Sequence, residues 1–179
     1  GRAVVGSVVV AEQERFRNRM FFVTPSGETA WYDKRHLFRP GGEARDYTPG
    51  DRRVIVEYMG FRFLLLVCYD LRFPVWSRNR GDYDAILCSA SWADDRREVW
   101  RTLLRARAIE NQCFVAAAAQ GGHHACGRRT WGHSRIIDAW GGMVSELASG
   151  TGIVIGNIER SQLENVRSTL PALASRTIY

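Results

Sequence analysis

The sequence predicts an α/β domain. Apolar runs of strand length recur at residues 3–10, 61–67, 84–89 and 114–119, and a segment with helical spacing, 96–112, lies among them. Turns rich in Pro and Gly separate these segments. With 179 residues, 45% hydrophobic and 11% aromatic, the chain suits one domain with a sizeable core.

In chain order, residues 3–10 read as a buried strand. Residues 19–24 form a second strand, closed by the turn Pro25-Ser26-Gly27, and 28–32 continue extended, which predicts a hairpin or meander. Two dipeptides, Pro40-Gly41 and Pro49-Gly50, mark a long surface loop over 36–51, and long loops inside compact domains are usually functional. Residues 54–59 alternate as a strand and end at Gly60. Residues 61–67 are nearly all apolar, as a strand covered on both faces requires, and stop at Cys68. Pro74 suits the first turn of a helix over 75–80. In 96–112, Val99, Leu103, Leu104, Ala108 and Ile109 make an apolar face and arginines the wet one. Residues 120–131 predict a loop rich in Gly and His. Residues 134–138 and 152–158 read as strands around the turn Trp140-Gly141-Gly142. Ser161, with Glu164 three residues on, predicts the N-cap of a helix reaching Leu170.

Composition excludes several classes. The charge of +6 comes from arginines scattered along the chain, not gathered in a stripe, so it describes a solvated surface and no nucleic-acid interface. No run of about 18 apolar residues is present to span a membrane, and the start has no signal-peptide pattern. Gly1 is followed almost at once by a strand, so an amino-terminal part is expected to precede it. The four cysteines, Cys68, Cys88, Cys113 and Cys126, form no CxxC pair and read as reduced thiols of a cytosolic protein. Cys126 with His123 and His124 supplies three candidate ligands without a fourth, so no metal site is predicted.

Two residues carry a chemical signal. The chain holds 24 arginines and one lysine, Lys34, which together make up its 25 basic residues. Lysine is a compact point charge tunable by burial, unlike the broad guanidinium fork, so one retained lysine suggests a specific task. Cys68 ends a buried strand just before a predicted helix, where free backbone N–H groups and positive potential lower a thiol's pKa and prepare an oxyanion site. Cys88 and Cys113 lie in apolar elements and read as structural.

Four separated motifs then resemble those of the carbon-nitrogen hydrolase (nitrilase-like amidase) family. They are Tyr32-Asp33-Lys34-Arg35-His36-Leu37-Phe38, Val67-Cys68-Tyr69-Asp70-Leu71-Arg72-Phe73-Pro74, Arg105-Ala106-Arg107-Ala108-Ile109-Glu110-Asn111-Gln112 and Trp131-Gly132-His133-Ser134. The first, with the Gly-Gly-Glu loop and the stretch Phe73-Pro74-Val75-Trp76-Ser77-Arg78-Asn79, looks like the bacterial omega-amidase branch; the later two are shared with the branch acting on deaminated glutathione. The resemblance implies a four-layer α-β-β-α sandwich, here lacking its first strands and helices. Residues 1–179 would be a single, amino-terminally incomplete carbon-nitrogen hydrolase domain.

The resemblance also implies roles. Cys68 is the nucleophile that forms a thioester and releases ammonia. Lys34, with the backbone N–H of Tyr69, stabilises the oxyanion. Glu43 supports the site, and Trp92 forms a pocket wall beside Tyr69. The implied substrate is a small dicarboxylic acid monoamide, such as a 2-oxo acid amide, with no metal or organic cofactor. A cytoplasmic homodimer or larger assembly is expected. The family's general-base glutamate is not matched: Glu12, Glu14 and Glu28 lack its Pro-Glu context. A binding or interaction module that keeps the pocket without turnover is therefore the alternative of another class. Arg72 is expected to pair with Asp70 rather than with a substrate carboxylate, and Trp131 and His133 to pack at the core rim.

Overall fold

The structure, a computed structural model, describes residues 1–123, 127 and 129–175. It opens with an antiparallel meander, β1 (Val4–Glu12), β2 (Arg15–Val23) and β3 (Thr29–Asp33). The strand expected to be buried at 3–10 is instead an edge. β1 pairs only with β2 in this three-stranded sheet, which leaves Val4 69% exposed.

The long loop carries a 3-10 turn (Arg39–Gly41) and the one-turn helix α1 (Glu43–Asp46). β4 (Ile55–Tyr58) and β5 (Phe61–Val67) follow, then a 3-10 turn (Cys68–Arg72) and the one-turn helix α2 (Pro74–Ser77). The helix expected over 75–80 stops early because tertiary bonds take its backbone. Asn79 N donates to Asn111 Oδ1 at 2.8 Å, and Asn79 Nδ2 donates to the carbonyls of Asn111 and Tyr83 at 2.9 and 3.1 Å.

β6 (Ala85–Ala90), α3 (Arg97–Asn111) and β7 (Phe114–Ala119) fall where the sequence places them. The expected Gly- and His-rich loop contains a short hairpin, β8 (Gly121–His123) with β9 (Arg129–Trp131). β10 (Arg135–Ile137) pairs with β11 (Met143–Glu146), not with 152–158. The nearer segment wins because Asp138 Oδ1 closes a tight turn, accepting from Trp140 N and Gly142 N at 2.9 and 2.8 Å, and short closures cost least entropy. Residues 152–158 belong to no strand, and Ile153 and Ile155 are 87% and 79% exposed. The last helix, α4 (Arg160–Thr169), begins one residue before Ser161, with Glu159 at the cap position and no side-chain cap.

The larger sheet has the order β11-β10-β7-β6-β5-β4, with β5, β6 and β7 parallel at its centre. β5 explains the layering. Leu65 and Val67 point to the meander and pack with Met20, Phe22 and Tyr32, while Leu64 and Leu66 face α3 through Trp100, Leu104 and Ala108. Each such buried aliphatic side chain contributes about 1.5–3 kcal/mol. Sheet, sheet and helix are thus successive layers of an α/β sandwich, and no helix among the described residues is long and apolar enough to cross a membrane.

Candidate active site

Period-two alternation in β3 sets the first component. Tyr32 points inward and is buried, Asp33 points outward and is held by Arg19 at 2.6 Å, and Lys34 points inward again. Backbone bonds grip Lys34 from both sides: its N–H donates to Asn18 O, and its carbonyl accepts from Gly50 N, both at 2.9 Å. Glycine is required at 50, since a Cβ there would lie 2.2 Å from Asp33 O. Lys34 is 3% exposed, and its Nζ meets Glu43 Oε2 at 2.6 Å.

Glu43, the first residue of α1, spends every oxygen. Oε2 also accepts from Phe38 N at 2.5 Å, and Oε1 accepts from Asn18 Nδ2 at 3.1 Å. Burial pushes this carboxyl up, but Lys34 and the two further donors pull it below the usual carboxylate range.

Cys68 sits at the junction of β5 and the following turn with φ +49°, in the left-handed region. A residue with a Cβ pays on the order of 1–2 kcal/mol there. The sharp corner presents the thiol to a cavity of about 700 Å³, where Sγ approaches Ser91 O at 3.8 Å. The expected helical activation is not what is built, because only a 3-10 turn and one turn of α-helix follow. Burial raises the thiol above its ordinary value; Lys34 lowers it, while Glu43 and Asp70 raise it. Burial therefore favours the thiol over the thiolate at this position.

Asp70, fully buried, locks these parts together. Its Oδ1 accepts from His36 N and faces His36 Nδ1, each at 2.8 Å; its Oδ2 accepts from Tyr32 OH at 2.7 Å and Val67 N at 3.1 Å. The lysine strand is thus tied to the cysteine corner through one carboxylate. From the other side, Arg107 of α3 donates to Leu71 O at 2.7 Å. Asp70→Ala would leave several buried donors without an acceptor, each costing about 1–3 kcal/mol. The expected result is a loss of about 3 kcal/mol or more in urea unfolding; a midpoint within error of wild type would refute it.

Asp70 being so engaged, it does not pair with Arg72 as expected. The Arg72 guanidinium lies over the rings of Trp92 and Tyr69 at 5.7 and 6.0 Å on the cavity wall, and among the described residues no carboxylate pairs with it. Tyr69 packs edge-on to Phe38 and Phe73, and Trp92 against Trp100 with its Nε1 donating to Arg96 O at 2.8 Å. Both line the cavity.

Lys34, Glu43, Cys68, Tyr69 and Trp92 therefore share one cavity, and Asn18 and Arg72 join them. Asn18 and the locking role of Asp70 were missed from sequence, since the partners of both are distant in the chain. Among the described residues Glu43 is the one glutamate lining the cavity; Glu12 is bound to Arg17 and Arg19, and Glu14 and Glu28 are exposed. His133 packs as expected, accepting from Trp100 Nε1 through its carbonyl, and Trp131 lies beneath Arg97 and Arg129. Cys88 and Cys113 are buried free thiols. His124 and Cys126 lie outside the described residues.

Residues 1–168 match the sequence profile of the carbon-nitrogen hydrolase family. The chain is 43% identical over 168 residues to omega-amidase YafV of Yersinia enterocolitica, covering 93% of this chain and 66% of that one. To omega-amidase YafV of Escherichia coli K12 it is 47% identical over 142 residues, covering 79% and 56%. A solved structure, a superfamily protein of Xanthomonas campestris with an arsenic adduct in its active site, is 40% identical with a TM-score of 0.95. That match covers 99% of this chain and 70% of the other. The chain thus spans 66% and 56% of the lengths of the two curated relatives.

Proposed function

Because the chain belongs to the carbon-nitrogen hydrolase family, we propose that its protein is an amidase acting on small dicarboxylic acid monoamides, 2-oxo acid amides among them. The observation that carries this reading is the cavity shared by the Cys68 thiol and the paired Lys34 cation. In the proposed reaction the thiol sulfur attacks the amide carbon, and Lys34 with the Tyr69 N–H receives the oxyanion. Collapse breaks the C–N bond, the nitrogen takes up the proton that the thiol gave up and leaves as ammonia, and a thioester remains on Cys68. Water then attacks the thioester, releasing the acid and restoring the thiol.

Arg72 supports the substrate class. A guanidinium without a carboxylate partner among the described residues, set between aromatic walls a few residues from the nucleophile, matches the far carboxylate of an ω-monoamide. Glu43 is occupied by Lys34, Phe38 and Asn18, so its part is to hold the cation rather than to take the thiol proton. The same engagement, leaving no uncommitted glutamate on the cavity wall among the described residues, favours one second reading: a binding module that captures such amides without turnover.

The test is ammonia release by the full-length protein from succinamate, glutaramate and 2-oxoglutaramate, with uncharged butyramide and deaminated glutathione alongside. Turnover of the monoamides, with a mass increment of one acyl group on Cys68, is expected. Saturable binding without any turnover would establish the module instead. Arg72→Met should raise KM for the monoamides about 10- to 100-fold, the worth of a hydrogen bond to a charged group, and leave butyramide unaffected. An equal loss on both substrates would remove the carboxylate assignment.

The proposal extends to a cytoplasmic, self-associating protein, a homodimer or larger. Three free cysteines among the described residues support the first part, and Ile109 and Trp140, each about half exposed, support the second.

A further inference from the structure

β2 alternates between two environments. Arg17 and Arg19 turn outward to Glu12 and Asp33, whereas Met20 and Phe22 turn inward to the core between the sheets. Asn18 shares the inward face and lines the Cys68 cavity. Asparagine is depleted in strands, so its place in mid-strand needs a compensating contact. It makes two. Its backbone carbonyl accepts from Lys34 N at 2.9 Å, and its Nδ2 donates to Glu43 Oε1 at 3.1 Å.

Among the described residues that second bond is the one drawn by Oε1, whereas Oε2 is shared by Lys34 Nζ and Phe38 N. Without it the carboxylate would turn about its Cγ–Cδ bond and the cation would turn with it. An arginine at this position, the common basic residue of this chain, would form its own ion pair with Glu43 and draw it off Lys34. A neutral amide supplies a donor without competing charge.

We propose that Asn18 is a positioning residue, whose side-chain amide fixes the rotation of Glu43 and thereby aims Lys34 at the acyl group on Cys68. The inference deepens the amidase reading and rests on it for the identity of the acyl group. Glu43 from α1 takes the bond of the Asn18 amide, and the other charged and titratable groups lining the cavity with it are Lys34 after β3, Arg45 and Asp46 of α1, Tyr47, then Cys68, Tyr69 and Arg72 after β5, and Arg96 before α3.

The test compares Asn18→Ala, Asn18→Ser and Asn18→Asp in the full-length protein by two readouts: steady-state ammonia release, and the pH dependence of Cys68 alkylation by iodoacetamide. Asn18→Ala should lower kcat about 10- to 100-fold, the scale of a 1 Å misplacement, with KM within about twofold. Serine, retaining a hydroxyl donor, should recover part of the loss. Aspartate is isosteric, so it carries the test if the alanine variant fails to fold. It sets a second carboxylate against Glu43, and such a pair holds one proton to higher pH than either alone. Its kcat should therefore approach wild type at low pH, when the shared proton donates, and fall as the pH rises through the raised value.

An Asn18→Ala kcat within about twofold of wild type, or an Asn18→Asp pH profile of unchanged shape, would overturn the inference. Should wild type release ammonia from no amide, the amidase reading fails while the alkylation arm still decides Asn18. A looser Lys34 lowers the thiol less, so the alkylation midpoint should move to higher pH in Asn18→Ala, and an unmoved midpoint rejects the positioning role.

Discussion

Cys68→Ala is expected to abolish ammonia release, by about 10⁴-fold or more in kcat, the scale seen when a covalent nucleophile is removed from an otherwise intact site. The expectation comes from geometry: the thiol is presented by a left-handed corner into the cavity that holds the lysine cation. The corner adds a second, opposite expectation. At φ +49° a glycine avoids the Cβ clash, so Cys68→Gly should be equally inactive yet about 1 kcal/mol more stable than Cys68→Ala. Strain retained at one residue and relieved without functional recovery is what a presentation device requires. Burial also raises the thiol, so iodoacetamide labelling of wild type should keep accelerating with pH beyond the ordinary thiol value. Turnover by Cys68→Ala within about 10-fold of wild type would remove the nucleophile assignment, and a labelling plateau near neutrality would remove the need for a base.

Lys34→Met should cost about 10²- to 10³-fold in kcat, the effect of losing one oxyanion donor, with little change in KM. Lys34→Arg should not restore activity, because a planar fork cannot occupy the position of a compact ammonium 2.6 Å from Glu43. The pair also makes a stability prediction. Glu43 is held below the usual carboxylate range, so its contribution is complete above its unfolded value of about 4.3 and is lost as the pH falls through the depressed native value. Lys34→Met leaves a largely buried carboxylate without its cation, held only by the neutral donors Phe38 N and Asn18 Nδ2, and should destabilise by about 3 kcal/mol at neutral pH. The penalty should shrink as acid protonates Glu43. Adding Glu43→Gln should restore most of the stability and none of the activity. Parallel recovery of both would mean that Lys34 acts only as a structural partner.

The elements read correctly from sequence are those whose pattern has one physical solution. Residues 61–67 are apolar on both faces and became a strand between the meander and α3. The helical face of 96–112 became the face of α3 that covers the sheet through Leu104 and Ala108, except that Ile109, expected on that face, is half exposed and Arg107, expected on the wet one, is buried. Errors arose where two local solutions were close in energy. Residues 143–146 and 152–158 both suit a strand beside β10, and the Asp138 turn selected the nearer. Residues 75–80 suit a helix, and the distant Asn111 captured Asn79. The site divides in the same way. Cys68 and Lys34 carry their chemistry in residue type and setting, whereas Asn18 acquires its role from a partner 25 residues away, Asp70 from partners 34 and 38 residues away, and Arg72 from having no carboxylate partner among the described residues.

By itself, then, the sequence determined the α/β layering, the cysteine at the end of a buried strand and the singular lysine, because hydrophobic period and residue chemistry are local properties. Tertiary structure alone decided that Glu43 is spent on Lys34, that Asp70 bolts the lysine strand to the cysteine corner, and that Arg72 lies on the cavity wall without a carboxylate partner among the described residues. A carboxylate's role depends on which donors reach it, and those donors arrive from strands, a loop and a turn that only folding brings within 3 Å or so of one another.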